Sequence, residues 1–169
     1  MSNSQNFYII DTSSLIDLNI RYPIDVFPSL WKKVEELISK GFLISHREVL
    51  KEICNQDDLL KKWALQQKNF FRDITPKQAQ IAKQILKKYP SMAKPKNEYG
   101  AADPFVIALA VEMGIPGAQQ ELFKTIKKRL IVTQEKLRGL KVKIPLVCQD
   151  FNIECIDIIE MYRIEGWKF

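Results

Sequence analysis

Phe7-Tyr8-Ile9-Ile10 is an unbroken apolar run, too short for a helix and without the alternation of a half-exposed strand. It predicts a strand covered on both faces. Asp11 closes it. Thr12, Ser13 and Ser14 are all good helix-capping types, and Leu15-Ile16 follow, so a helix starts there. Pro23 and Pro28 punctuate a loop. Leu30, Val34, Leu37 and Ile38 recur at helical spacing up to a stop at Gly41. Phe42 to Ser45 reads as a second buried strand, with helices after it from about His46 to Cys54 and from Asp57 to Asn69. Thr75-Pro76-Lys77-Gln78 combines an N-cap, a proline in the first turn and a capping-box glutamine, which opens a helix to about Tyr89. Ser91 to Tyr99 is a Pro/Lys/Asn loop, and Ala101 to Met113 an apolar helix ended by Gly114. Leu130 to Thr133 is a third strand with a helix before it. Ile144-Pro145 opens a short helix, Ile153 to Ile156 is a fourth strand, and Asp157 to Arg163 a closing helix.

Short apolar runs that alternate with helical segments predict an α/β fold. Its core is a parallel sheet of four to five strands with helices on both faces, joined by right-handed crossovers. The 169 residues contain no repeat, no low-complexity tract and no dividing linker, so residues 1–169 are expected to form a single domain. No apolar run approaches the roughly 20 residues that span a bilayer. Met1 to Asn6 is polar and lacks the basic and apolar regions of a secretory leader. Cys54, Cys148 and Cys155 are odd in number and without CxxC spacing. That argues against a disulfide framework or zinc ribbon and for reduced thiols in a cytoplasmic protein.

Charge changes the picture in one place. The segment 124–143 holds eight basic residues (Lys124, Lys127, Lys128, Arg129, Lys136, Arg138, Lys141 and Lys143) against the single acid Glu135, a local +7 in a chain of net +6. This stretch carries the whole excess, and its potential favours a polyanion such as RNA. The plainer reading is a solvated helix face and loop.

In a parallel sheet, sites form beyond the carboxyl ends of the strands. Asp11 closes the first strand, Glu52 lies in the helix after the second, Asp103 opens the apolar Pro104–Ala108 helix, and Glu135 follows the third strand by two residues. All four can project to one edge. Four carboxylates together would repel unless a cation neutralised them, and oxygen-only ligands suit Mg²⁺ or Mn²⁺ rather than zinc. Each acid also has a structural reading: Asp11 and Asp103 as helix N-caps, Glu52 as a surface residue in competition with Glu48, and Glu135 as a loop charge. His46, the only histidine, is expected at the surface or as a cap, and Asp17 facing solvent. Asp150 and Asn152 are expected in a turn or at a pocket rim, and Trp31, Trp63 and Trp167 as core or interface anchors.

Ile9-Ile10-Asp11-Thr12-Ser13-Ser14-Leu15-Ile16 resembles the first motif of PIN domains, the fold of VapC-type toxins and related nucleases. Val49-Leu50-Lys51-Glu52-Ile53 resembles their second motif, Ala102-Asp103-Pro104-Phe105-Val106-Ile107-Ala108-Leu109-Ala110 the third, and Ile131-Val132-Thr133-Gln134-Glu135 the fourth. The motifs follow the family's order over nearly the whole chain, and Ile144-Pro145 with the Gly166–Phe169 ending suggests a longer, distinct PIN-like subfamily. The resemblance implies a metal-dependent endoribonuclease, often a toxin whose antitoxin partner blocks the active site; exposed Trp or Phe near the C-terminus would be compatible with a partner or a homodimer. It makes Asp11, Glu52 and Asp103 the core ligands of Mg²⁺ or Mn²⁺, adds Glu135 where many members have Asp, and gives Ser13 and Thr133 the role of orienting the ligands. The altered fourth acid leaves open a rival, a catalytically weak or inactive PIN-like module that binds RNA or protein. A phosphatase with Asp11 as nucleophile would need a second Asp two residues on, where this chain has Ser13.

Overall fold

Tyr8, Ile9 and Ile10 have no exposed surface and Phe7 almost none, so both faces of the first strand are covered. A computed structural model describes residues 5–55, 58–93, 102–115 and 126–169. In chain order the elements are β1 (Gln5–Ile10), α1 (Thr12–Arg21), α2 (Pro28–Ser39), β2 (Leu43–His46), α3 (Arg47–Ile53), α4 (Asp58–Gln66), β3 (Phe71–Arg72) and α5 (Pro76–Lys88). A 3₁₀ turn (Pro90–Met92), α6 (Asp103–Glu112), β4 (Ile126–Val132), α7 (Ile144–Gln149), β5 (Glu154–Ile156) and α8 (Ile158–Ile164) follow.

The strands form one sheet in the order β3-β2-β1-β4-β5. Every pairing is parallel, with Tyr8 opposite Leu43, Ile10 opposite Val132, and Val132 opposite Ile156. The expected α/β class and parallel sheet are therefore present. The chain builds outward from β1 through β2 to β3, then returns to the other side of β1 with β4. The order reverses at β1/β4, and the carboxyl ends of those two strands are where a parallel sheet leaves room for a site. Asp11 and Thr133 stand there side by side, because the Asp11 N–H donates to Val132 O (3.1 Å) and the Thr133 N–H to Ile156 O (2.9 Å).

Differences from expectation have local causes. β3 has only two residues, too few to carry a period, and pairs at the edge with Ser45 and His46. β4 begins at Ile126, earlier than the apolar run, since its first half is basic. The helix expected before β4 and most of the 91–99 loop lie outside the described residues. Thr75 caps α5 through Gln78 N–H (3.1 Å), but Gln78 does not complete a capping box. Its side-chain N–H₂ donates to Glu112 Oε2 (2.6 Å), and its Oε1 lies 3.1 Å from His46 Nε2.

His46 is a cap, as one reading had it, but it is not at the surface. It is fully buried at the start of α3 and stacked on Phe105 with ring centroids 5.2 Å apart. Its Nδ1 accepts from Glu48 N–H (3.1 Å), so the ring proton belongs on Nε2, where it reaches Gln78. Burial holds the imidazole below its ordinary value, and the Gln78 contact opposes that only in part. Trp31 and Trp63 are core residues that meet edge to face, 4.7 Å between centroids. The three cysteine thiols are free. Among the described residues no helix is long and apolar enough to cross a membrane.

Candidate functional site

Asp11 is both of the things its sequence position allowed. It ends β1, and its Oδ1 accepts from Ser14 N–H (2.9 Å), which caps α1. Its Oδ2 accepts from Ser13 Oγ (2.7 Å) and Thr133 Oγ1 (2.7 Å). The two hydroxyls lie 3.5 Å from each other, but each is nearer to the carboxylate. Ser13 Oγ accepts from Gln134 N–H (3.1 Å) and Thr133 Oγ1 from Glu135 N–H (3.0 Å), which leaves each O–H free to point at the carboxylate. Ser13 and Thr133 thus orient Asp11 from two distant parts of the chain. Burial pushes the Asp11 carboxyl up from 3.8 to about 6, and the bonds from Thr133, Ser14 and Ser13 pull against that shift. None of these partners carries positive charge, so a buried anion stands at the strand end with dipoles alone to hold it.

Glu52, on α3, is also buried. Its Oε2 accepts from Thr12 Oγ1 (2.5 Å) and its Oε1 from Ala102 N–H (3.2 Å). The residue after Asp11 and the residue before Asp103 are therefore tied to one carboxylate. Asp103 is half-buried in the first turn of α6, and the N-cap is Ala102, not Asp103. Glu48, the competitor one turn earlier, pairs with Lys51 instead (2.5 Å).

Glu135 is engaged elsewhere. Its Oε1 meets Lys143 Nζ (3.0 Å), and its Oε2 accepts from Ile144 N–H (2.9 Å) at the start of α7. Both oxygens serve to fasten the loop that follows β4. Among the described residues no three His, Cys, Asp or Glu side chains form a group that could hold a metal ion.

A family model described as a domain of unknown function, DUF4411, matches residues 8–169. The chain belongs to the DUF4411 family. A comparison with curated proteins found no match.

The fold sorts the basic stretch of this DUF4411 protein into separate roles. Lys128 pairs with Glu154 across β4 and β5 (2.9 Å), and Lys143 is taken by Glu135. Arg129 turns inward, where its guanidinium donates to Ala110 O at the end of α6 and burial lowers its pKa. Lys136, Arg138 and Lys141 stay exposed on the segment that leaves the carboxyl end of β4. Lys124, and the side chain of Lys127, lie outside the described residues. Asp17, expected to face solvent, is half-buried and bonded to Arg21 Nε (2.7 Å). Asp150 accepts from Lys88 and Tyr89 (2.7 and 2.6 Å), and Asn152 sits in a turn at φ 52.

Sequence reading missed Thr12 as a holder of Glu52 and Arg21 as a neighbour of the β4 loop. The one signal was three hydroxyl residues in a row after the acid, more than a single cap requires. It also missed why Gly114 is glycine. A Cβ there would stand 2.0 Å from Arg129 Nη1, so the guanidinium crosses over this residue. Gly114→Ala is expected to push Arg129 off Ala110 O and cost about 1–2 kcal/mol, the worth of a charge-assisted hydrogen bond in a partly buried place. Urea unfolding checks it, and Arg129→Leu in the Gly114→Ala background should add little further loss.

Proposed function

We propose that this DUF4411 protein is a PIN-like, metal-dependent ribonuclease. The observation that supports it best is the Glu52 carboxylate, which binds the residue after Asp11 and the residue before Asp103. The chain neighbours of Asp11 and Asp103 are thereby bound to the third acid near the point where the strand order reverses, although the three carboxylates do not themselves close into a metal-holding group among the described residues.

The donor chemistry fits a hard divalent cation. All the candidate ligands are carboxylate oxygens, and Asp11 is a buried anion without a cationic partner. Asp11, Glu52 and Asp103 would hold Mg²⁺ or Mn²⁺, with Glu135 reserved to the loop. When bound, such an ion lowers the pKa of water and offsets the charge that builds on a phosphodiester under attack. Ser13 and Thr133 keep the Asp11 oxygens aimed, Thr12 keeps Glu52 aimed, and the burial of both acids keeps bulk water from screening them. Lys136, Arg138 and Lys141 can attract the RNA backbone without reading its sequence.

Thr12→Val removes the hydroxyl that holds Glu52 Oε2 while keeping shape. It is expected to weaken Mn²⁺ binding about tenfold, as loss of a partner to a metal ligand usually does, with the fold intact by circular dichroism. Isothermal titration with Mn²⁺ measures it.

The experiment that tests the function is cleavage of single-stranded RNA in Mn²⁺, with and without EDTA. Folded protein that leaves RNA intact at saturating Mn²⁺ would sink the ribonuclease. Glu135, with both oxygens already spent, favours the second reading, a weakly active or inactive RNA-binding module, and the same assay decides it. The roles of toxin and antitoxin partner rest on the resemblance to PIN domains alone. A small protein that abolishes cleavage and is encoded beside this one would support them.

A further inference from the structure

A cavity of ≈ 190 Å³ opens beside the candidate site, between the C-terminal half of α1 and the start of α8, with Asp17, Arg21, Tyr22, Gln134, Lys136 and Asp157 among its walls. At about 30 Å³ per molecule it has room for about six waters, the scale of one heteroaromatic ring system. Its charges balance: two acids face two bases, and Arg21 is already neutralised by Asp17 at 2.7 Å. That is a poor match for a phosphate, which wants uncompensated positive charge. It suits a neutral planar ligand with donors and acceptors on its edge. Gln134 lines the cavity and holds an unused donor, an Nε2 that is enclosed by protein with no hydrogen-bond partner among the described residues and that a turn of the side chain would present to a ligand. Such a group costs free energy unless something accepts from it. Half-buried Tyr22, whose ring meets Phe27 and Tyr162 edge to face, is the aromatic residue of the wall, and unstacked bases rest on such rings.

The position matters as much as the chemistry. Gln134 N–H donates to Ser13 Oγ, and Ser13 Oγ–H donates to Asp11. The cavity is thus one residue away from the hydroxyl that aims the central carboxylate. We infer that this cavity binds a single unstacked nucleobase of the RNA strand next to the cleaved phosphate, and that Gln134 reads its edge. This rests on the ribonuclease reading and extends it: the enzyme prefers particular nucleotides beside the cut.

The test is binding to the full-length wild-type protein in EDTA, with each of the four ribonucleoside 5′-monophosphates and with inorganic phosphate. The Gln134 side-chain amide is followed by NMR. One or two nucleotides are expected to bind about fivefold more tightly than the rest, the effect of one directional hydrogen bond. They should shift the Gln134 amide, resist competition by inorganic phosphate, and lose their advantage in Gln134→Leu. Equal affinities, an unmoved Gln134 amide, or displacement by inorganic phosphate would each overturn the inference. Should Gln134→Leu fail to fold, the wild-type amide shift alone decides. Selective nucleotide binding without RNA cleavage in Mn²⁺ would refute the nuclease and leave the base pocket standing. Cleavage without nucleotide preference would refute the pocket alone.

Discussion

Asp11→Asn is expected to abolish metal-dependent RNA cleavage and, in the same protein, to remove the fall in stability that Asp11 imposes between pH 4 and 7 in EDTA. The two effects have one origin. In the folded protein burial raises the Asp11 carboxyl from 3.8 to about 6. A group whose folded value lies above its unfolded value contributes fully below the unfolded one, and that contribution is lost as pH rises through the folded one. The difference corresponds to about 3 kcal/mol over the whole titration, of which about 2 kcal/mol is lost from pH 4 to 7. The neutral amide cannot titrate, so relative to the wild type its unfolding free energy should rise with pH over that window, whatever buried His46 adds to both. Urea unfolding at a series of pH values in EDTA measures this. Mn²⁺ should then restabilise the wild type at pH 7.5 and not the variant, because an ion that binds only the folded state stabilises it by mass action. A folded Asp11→Asn protein with full activity at saturating metal would end the mechanism. A wild type whose slope between pH 4 and 7 equals that of Asp11→Asn would mean that Asp11 is far better compensated than its hydroxyl and N–H partners allow.

The second large effect is at Glu52. Glu52→Ala leaves the Thr12 hydroxyl and the Ala102 N–H without their acceptor in a buried place and opens a small cavity. A loss of about 3 kcal/mol is expected. Glu52→Gln keeps the volume, and its carbonyl can still accept from Ala102 N–H while the Thr12 hydroxyl turns to accept from the amide, so it should cost about 1 kcal/mol or less. Both variants should lose Mn²⁺-dependent cleavage. The contrast separates two jobs: the alanine variant fails as structure and as ligand, the glutamine variant as ligand only. Unfolding curves paired with cleavage rates read the two apart. If Glu52→Gln cleaved RNA as fast as the wild type, the acid would be a packing device that fastens α6 to α1, and the proposed metal set would fall.

Much of this was legible along the chain because the forces involved are local. The continuous burial of Phe7 to Ile10, the cap at Asp11, the helical spacing of Leu30 to Ile38 and the stop at Gly41 depend on near neighbours, and each appears where the sequence put it. The two-residue strand at Phe71 escaped, since two residues define no period and only pairing with β2 makes them a strand.

For the site, the sequence by itself determined which acids stand at strand ends and helix starts, and that Ser13 and Thr133 lie near them in their motifs. What the side chains bind was decided in three dimensions. The return of β4 to the side of β1 brings Thr133 onto Asp11 from 122 positions away. The seating of α1 and of the start of α6 beside Glu52 of α3 makes that carboxylate the bond between Thr12 and Ala102. The fold also turns Arg129 inward over Gly114, spends Glu135 on the start of α7, and sets Arg21 beside Lys136 around one cavity. The reason is physical: a residue's secondary structure answers to forces within a few positions of it. The partner of a carboxylate or a guanidinium answers to whatever strand order and helix packing bring within about 3 Å, and a local pattern does not encode that distance.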